Sequence, residues 1–351
     1  MREASETGFK VVQVSDVPGA SDYIRQAFQG TEVEYQYIYC PNADDIIAAA
    51  HDADVLILVP GRPPVPRKVI ENLPRCRYIV AFTTGYDAID VKAATEQGML
   101  VTNMPGTAYG TVADHTMALI LACSRRIVEL NQVVKNGEWV VDRMGSRLGR
   151  EIWPKLTKLQ GQTLGFIGFG NIARIVVPRA KGFEMRLIAF DPYVAPSVFD
   201  EFGVESVKFD QLLMESDFVS VHSPLSDETR GMLGLEQFKK MKPTAFIINT
   251  ARGPIIDRQA LYTALRQGLI AGAALDTNEP EPSNPENNPL VSLDNVIMTP
   301  HSAAHDKTTF ANMARRAPEQ VFRLMKGEWP HDVVNPEVKD KYVERWGPLR
   351  V

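Results

Sequence analysis

Thr163-Leu-Gly-Phe-Ile-Gly-Phe-Gly-Asn-Ile-Ala173 predicts a strand, a tight turn and a helix in immediate succession. Leu164 to Ile167 are a short apolar run of the kind a buried parallel strand presents, and Asn171 to Lys181 read as the helix that follows. Between them stands Gly168-x-Gly170-x-x-Ala173. Gly168 permits the tight turn, and Gly170 lets a pyrophosphate come close to bare backbone. Ala173 keeps the helix near the sheet, while the helix N-terminus at Asn171 and Ile172 offers N–H groups and a positive dipole end to phosphates. A second strand, Met185 to Phe190, ends at Asp191, a carboxylate placed to accept hydrogen bonds from the 2′- and 3′-hydroxyls of a ribose. Its charge would repel a 2′-phosphate, and Pro192-Tyr193 supply no arginine to offset it. The stretch therefore reads as a dinucleotide site for NAD rather than NADP.

A chain of 351 residues exceeds one ordinary core and has room for two domains. With 44% hydrophobic and 23% charged residues its composition is that of a globular protein. A net charge of -5 gives no electrostatic reason to expect nucleic acid as a partner. No apolar run is long enough to span a membrane, and MREASETGFK lacks a signal-peptide core. Cys40, Cys76 and Cys123 are odd in number and widely spaced, which suits reduced, buried thiols in the cytoplasm.

Ahead of the glycine stretch, strands are expected at Phe9 to Val14, Glu32 to Tyr39, Asp54 to Val59, Tyr78 to Phe82 and Met99 to Thr102. Helices are expected between them, the first capped by Ser21. That alternation predicts a small doubly wound parallel domain. A long, largely apolar helix from about Thr111 to about Lys135 is read as a bridge to the second domain. The irregular segment from Gly137 to Gly161 is either an arm used in dimer contacts or a plain surface connection. In the second domain, strands beginning near Leu164, Met185, Phe218, Ala245, Gly272 and Asn295 make six, in two halves, as in the nucleotide-binding sheet. Asp257 caps the helix that Gly268 ends. A last helix from about Lys307 to Met325 precedes a tail expected to return to the first domain. The boundaries so read are 1–110 with 327–351, and 111–326.

In open parallel sheets, ligands bind outside the carboxyl ends of the strands. The last three strands of the second domain each deliver one polar residue there: Arg252, Glu281 and His301. A guanidinium pairs with a carboxylate through two parallel hydrogen bonds and so orients an acid substrate. An imidazolium can give a proton to a carbonyl oxygen as hydride reaches its carbon. A carboxylate beside the imidazole stabilises its charged form and fixes its tautomer.

Thr250-Ala-Arg-Gly-Pro-Ile-Ile-Asp257, Ala274-Leu-Asp-Thr-Asn-Glu-Pro-Glu-Pro282 and Thr299-Pro-His301 resemble the three successive signatures of the D-isomer-specific 2-hydroxyacid dehydrogenases. The glycine stretch and Gly85-Tyr-Asp-Ala-Ile-Asp90 are similar too. The resemblance spans roughly Asp54 to Pro336. It implies a flavodoxin-like substrate domain and a Rossmann NAD-binding domain that close over the cofactor, with pairing as homodimers through the latter. It implies that Arg252 binds the carboxylate of a small 2-keto or 2-hydroxy acid, that His301 is the acid/base, and that Glu281 is its partner. Thr84 and Gly85 would present backbone N–H groups to the same carboxylate. Thr250 joins the cofactor contacts, Asp276 would meet the nicotinamide amide, and His222 with Pro224 would line the adenine side. Thr277-Asn278 and Ser302-Ala303-Ala304 depart from the family pattern and bear on the shape of the substrate pocket.

His51, His115 and His331 read as structural or surface residues, and His301 with His305 lacks the companions a zinc site needs, so no metal is expected. Arg62 reads either as reaching an anionic substrate group or as a solvated loop residue. The alternative function, from another class, is an NAD-sensing corepressor of the same fold, distinguished by tight NADH binding without turnover on any 2-keto acid.

Overall fold

The computed structural model of the chain describes residues 8–15, 22–58, 63–139 and 144–350. Ser21, Val59 and Arg62, and the readings placed on them, lie outside the described residues. The first stretch runs β1 (Phe9–Ser15), α1 (Asp22–Phe28), β2 (Val33–Tyr39), α2 (Ala43–Ala50), β3 (Val55–Leu58), α3 (Arg67–Glu71), β4 (Tyr78–Ala81), α4 (Val91–Glu96) and β5 (Leu100–Thr102). Two helices follow, α5 (Tyr109–Ser124) and α6 (Ile127–Lys135). The glycine stretch opens β6 (Thr163–Ile167), α7 (Asn171–Gly182), β7 (Arg186–Phe190), α8 (Pro196–Phe202), β8 (Glu205–Ser206), α9 (Phe209–Glu215) and β9 (Phe218–Val221). Then come α10 (Leu235–Lys240), β10 (Phe246–Asn249), α11 (Arg258–Arg266), β11 (Gly272–Leu275), β12 (Val296–Met298), α12 (Lys307–Met325) and α13 (Lys339–Trp346).

The chain divides into two compact units, Met1–Ala108 with Asp306–Val351, and Tyr109–His305. The second seam therefore precedes α12, whereas the sequence placed it after that helix. The reason is packing. Phe310 and Phe322 of α12 meet Phe82 and Phe28 of the first unit, with ring centroids 5.8 and 5.5 Å apart. An amphipathic helix advertises a buried face but not the sheet that buries it.

In the first unit a parallel sheet of order β2-β1-β3-β4-β5 has the flavodoxin-like arrangement. Its central strands β3 and β4 are buried throughout, as strands covered on both faces are. Val12, Leu56, Ile79 and Val101 pack on one face against Ile46, Val69 and Ala93 of α2, α3 and α4. The tail is stitched to β5: Val334 N–H donates to the Val101 carbonyl at 2.9 Å, and Val101 N–H donates to Asn335 Oδ1 at 2.9 Å.

The second unit holds a seven-stranded parallel sheet, β12-β11-β10-β9-β6-β7-β8. Numbered from β6, its order is the dinucleotide-binding 3-2-1-4-5-6 with one strand added beyond the last. The sequence reading of six strands omitted β8, which has two residues, both exposed, and so carries no periodicity to detect. Phe166, Ala173, Val176 and Met117 fill the layer between the sheet and helices α5 and α7. Ile167, Val219 and Ile247 pack on the other face against Leu212, Phe238 and Leu261 of α9, α10 and α11.

The single long helix expected from Thr111 to Lys135 is two. Arg126 adopts a left-handed φ of 50°, which an α-helix of L-residues does not continue through. Ser124 at the end of α5 exchanges hydrogen bonds with Thr157, Oγ donating to the Thr157 carbonyl at 2.8 Å and the Thr157 N–H donating back at 3.0 Å. A contact with a residue so distant in sequence leaves no local signal.

Candidate active site

The order of the second sheet reverses direction between β6 and β9, and the loops leaving these strands meet there. Gly168 has a φ of +87°, and a Cβ on it would lie 2.8 Å from the Ser223 nitrogen and 2.9 Å from the His222 carbonyl carbon. Only glycine fits, for backbone conformation and for space. Around Gly170, by contrast, a Cβ would meet nothing within 4 Å, so the backbone there is open on one side. Gly170 precedes α7 without a side-chain cap, and the first backbone bond of the helix runs from Arg174 N–H to the Gly170 carbonyl. The N–H groups of Asn171 and Ile172 consequently have no acceptor among the described residues. Bare backbone, unpaired donors and a helix dipole at a switch point fit a dinucleotide pyrophosphate.

At the end of β7, Asp191 Oδ2 accepts from the Phe169 N–H of the glycine loop at 2.8 Å, and Oδ1 accepts from Tyr193 N–H at 2.9 Å. Each oxygen retains a lone pair, which suits a ribose diol. At the end of β9, His222 is half-buried and shares a 2.8 Å hydrogen bond between Nε2 and Ser220 Oγ, while Pro224 is exposed. Burial pulls the His222 imidazole down to about 4. An unfolded histidine titrates near about 6.5. Between those values the unfolded chain binds a proton that the folded chain refuses, so this contribution to stability is lost as pH falls through the window. Replacing His222 with Gln is expected to reduce the drop in melting temperature between about pH 6.5 and about pH 4.5. The same acid dependence in both proteins would contradict the shift.

The ends of the next three strands carry the remaining candidates. After β10, Asn249 folds the chain back, its Oδ1 accepting from Ala251 N–H at 3.0 Å and its Nδ2 donating to the Arg252 carbonyl at 2.9 Å. This presents the half-buried Arg252, whose Nη1 donates to the Ala251 carbonyl at 2.7 Å. After β11, Glu281 Oε1 accepts from Asn278 N–H at 2.7 Å, and Oε2 lies 2.8 Å from His301 Nδ1. A carboxylate only accepts, so Nδ1 carries the proton and Nε2 is the nitrogen left to act. The His301 side chain is 45% exposed, and Nε2 makes no hydrogen bond among the described residues.

Glu281 and His301 are thus paired directly, and Arg252 is set against them through backbone. A Cβ on Gly253 would sit 2.3 Å from the carbonyl of Asn278. The arginine loop and the glutamate loop abut where glycine leaves room, so neither can shift independently. Thr250 hydroxyl lies 3.0 Å from Thr116 Oγ1 on α5 and is buried against it.

Asp276, at the end of β11, is held by the loop that carries His301. It is 1% exposed. Its Oδ1 accepts from the Thr299 hydroxyl at 2.5 Å and Ser302 N–H at 2.9 Å, and its Oδ2 accepts from Ala303 N–H at 2.9 Å. Its backbone carbonyl accepts from His301 N–H at 2.9 Å. Three successive N–H groups of the histidine loop therefore converge on this one residue, and the carboxylate is turned into the protein.

Thr84 and Gly85 belong to the first unit, just past β4. Asn103 Nδ2 donates to the Thr84 carbonyl at 2.6 Å, Met104 N–H donates to the Thr83 carbonyl at 2.8 Å, and the Thr84 hydroxyl donates to the Met104 carbonyl at 3.2 Å. These bonds fix the loop while the N–H groups of Thr84 and Gly85 keep no acceptor among the described residues. Sequence reasoning missed Asn103, Gly253 and Asn278 as supports. Gly253 alone left a trace, being a glycine directly after an arginine at a strand end.

Comparison with known proteins gives a consistent result. The family model for the D-isomer specific 2-hydroxyacid dehydrogenase, NAD binding domain, matches residues 117–303. The chain is 42% identical over 299 residues to a glyoxylate reductase of Korarchaeum cryptofilum, covering 85% of this chain and 87% of that protein. It is 41% identical over 293 residues to a D-3-phosphoglycerate dehydrogenase of Methanocaldococcus jannaschii, covering 83% of this chain but 53% of that longer protein. Among solved structures, D-lactate dehydrogenase from Aquifex aeolicus complexed with NAD and lactic acid is similar at a TM-score of 0.80 and 27% identity, covering 90% of this chain and 96% of that one.

Proposed function

This chain belongs to the D-isomer specific 2-hydroxyacid dehydrogenases, and from that premise we propose a division of labour among its residues. It is an NAD-dependent oxidoreductase acting on the CH–OH group of 2-hydroxy acids. When bound, NAD supplies the hydride chemistry at the substrate's second carbon. Gly168, Gly170 and the N–H groups of Asn171 and Ile172 would hold its pyrophosphate and Asp191 its ribose, with His222 and Pro224 toward the adenine. The Arg252 guanidinium binds the substrate carboxylate. His301 Nε2 gives a proton to the carbonyl oxygen during reduction and takes it from the hydroxyl during oxidation. Glu281 holds the imidazole in one tautomer and offsets its positive charge.

The observation that carries this reading is the 2.8 Å pair of Glu281 and His301, which leaves Nε2 without a partner among the described residues. For the substrate we favour glyoxylate or an acid of similar size, because the glyoxylate reductase is matched along nearly its whole length and the phosphoglycerate dehydrogenase along about half. NADH oxidation with glyoxylate, hydroxypyruvate, 3-phosphohydroxypyruvate and bulkier 2-keto acids tests it. The highest kcat/KM is expected on glyoxylate. NADH binding without turnover on any of them would return the corepressor reading, which nothing in the relatives favours.

Ile127, Val128, Val134, Trp139 and Met144 are exposed apolar residues on and after α6, which supports pairing with a second copy there. No helix among the described residues is long and apolar enough to cross a membrane. The three buried free thiols suit a reducing, cytoplasmic setting.

A further inference from the structure

His115 lies on α5, far in sequence from the residues of the reaction, yet its ring reaches their supports. Its Nε2 is 3.0 Å from Thr299 Oγ1 and 3.5 Å from Asp276 Oδ1. The Thr299 hydroxyl has one proton and gives it to Asp276 at 2.5 Å. It can therefore only accept from His115, so the Nε2 of His115 carries a hydrogen. The result is a directed chain from α5 through Thr299 to the Asp276 carboxylate. That same carboxylate receives Ser302 N–H and Ala303 N–H, and the Asp276 carbonyl receives His301 N–H.

His301 has a φ of 51°, a region L-residues rarely adopt. Such a conformation persists only where its surroundings over-determine it. The His301 side chain is 45% exposed, so packing alone does not supply that constraint. The hydrogen bonds converging on Asp276 do. The neighbouring Thr116 meets Thr250 at 3.0 Å two residues before Arg252, so α5 grips the strand ends that carry both Arg252 and His301.

We infer that His115 is a positioning residue for the reaction: by donating to Thr299 it orients Asp276, which in turn sets the backbone from which His301 reaches the substrate. His115 touches no reacting atom. The inference rests on the assignment of His301 as the acid/base, and its test separates the two.

Four single variants of the full chain, His115→Leu, His115→Gln, Thr299→Val and His301→Gln, and the His115→Leu/Thr299→Val double variant are compared in steady-state kinetics and in NADH titration by fluorescence. His115→Leu is expected to lower kcat about tenfold without changing NADH affinity, the loss of one hydrogen bond and a small displacement of the acid/base. His115→Gln, whose amide can place an N–H at the same point, recovers most of the rate. Thr299→Val breaks the next link and lowers kcat comparably, and the double variant is no worse than either single change. Wild-type kcat in His115→Leu, equal losses in the Leu and Gln variants, or additive losses in the double variant overturns the inference. Should His115→Leu not fold, Thr299→Val and His115→Gln carry the test: a slow Thr299→Val beside a near-normal His115→Gln is expected, and any other pairing overturns it. If His301→Gln turns over normally, the acid/base assignment fails as well. If only His301→Gln is impaired, the role of His115 fails alone.

Discussion

His301→Gln is expected to lower kcat by roughly a thousandfold, within the range that a positioned general acid/base supplies, while KM for the 2-keto acid changes little. Glutamine can hydrogen-bond a carbonyl oxygen but cannot transfer a proton to it at neutral pH. The wild-type arrangement makes the transfer direct: Glu281 Oε2 accepts a hydrogen bond from Nδ1–H at 2.8 Å, leaving Nε2 as the nitrogen that faces substrate. An interaction used only as the transition state forms appears in kcat rather than in KM. Turnover within about tenfold of wild type would remove His301 from the chemistry.

Arg252→Ala is the second large effect and falls on a different constant. Removing a guanidinium that binds a carboxylate through two hydrogen bonds, in a half-buried setting, costs about 3 kcal/mol, on the order of a hundredfold in kcat/KM. Most of it is expected in KM, since the carboxylate is present in substrate and transition state alike. Arg252→Lys should recover only part, because an ammonium is a point charge without the planar fork. Initial rates against 2-keto acid concentration, at saturating NADH, distinguish the cases. A KM for Arg252→Ala equal to that of wild type would mean that the substrate carboxylate is held elsewhere.

The contrast between Gly168 and His115 explains what could be read in advance. Gly168 was legible because a strand, a turn and a helix within one short stretch leave only one backbone path, and that path needs a residue without a Cβ. Arg252, Glu281 and His301 were legible for a related reason: each follows a strand end, and parallel strands of one sheet deliver their carboxyl ends to one rim. His115 carried no such mark. A histidine within an apolar helix looks structural, and its partners Thr299 and Asp276 are known only once α5 is laid beside β11 and β12.

What the amino-acid order determined by itself was therefore the local geometry and its chemical stock: two β–α alternations, a pyrophosphate turn, and an arginine, a glutamate and a histidine at successive strand ends. Each of these depends on residues close together in the chain. Tertiary structure alone decided that α12 joins the first unit, that the helix after Tyr109 breaks at Arg126, and that Asp276 faces inward to gather the His301 loop. These depend on which surfaces meet, and a hydrogen bond or a packed ring between distant residues leaves no periodicity in the sequence on either side of it.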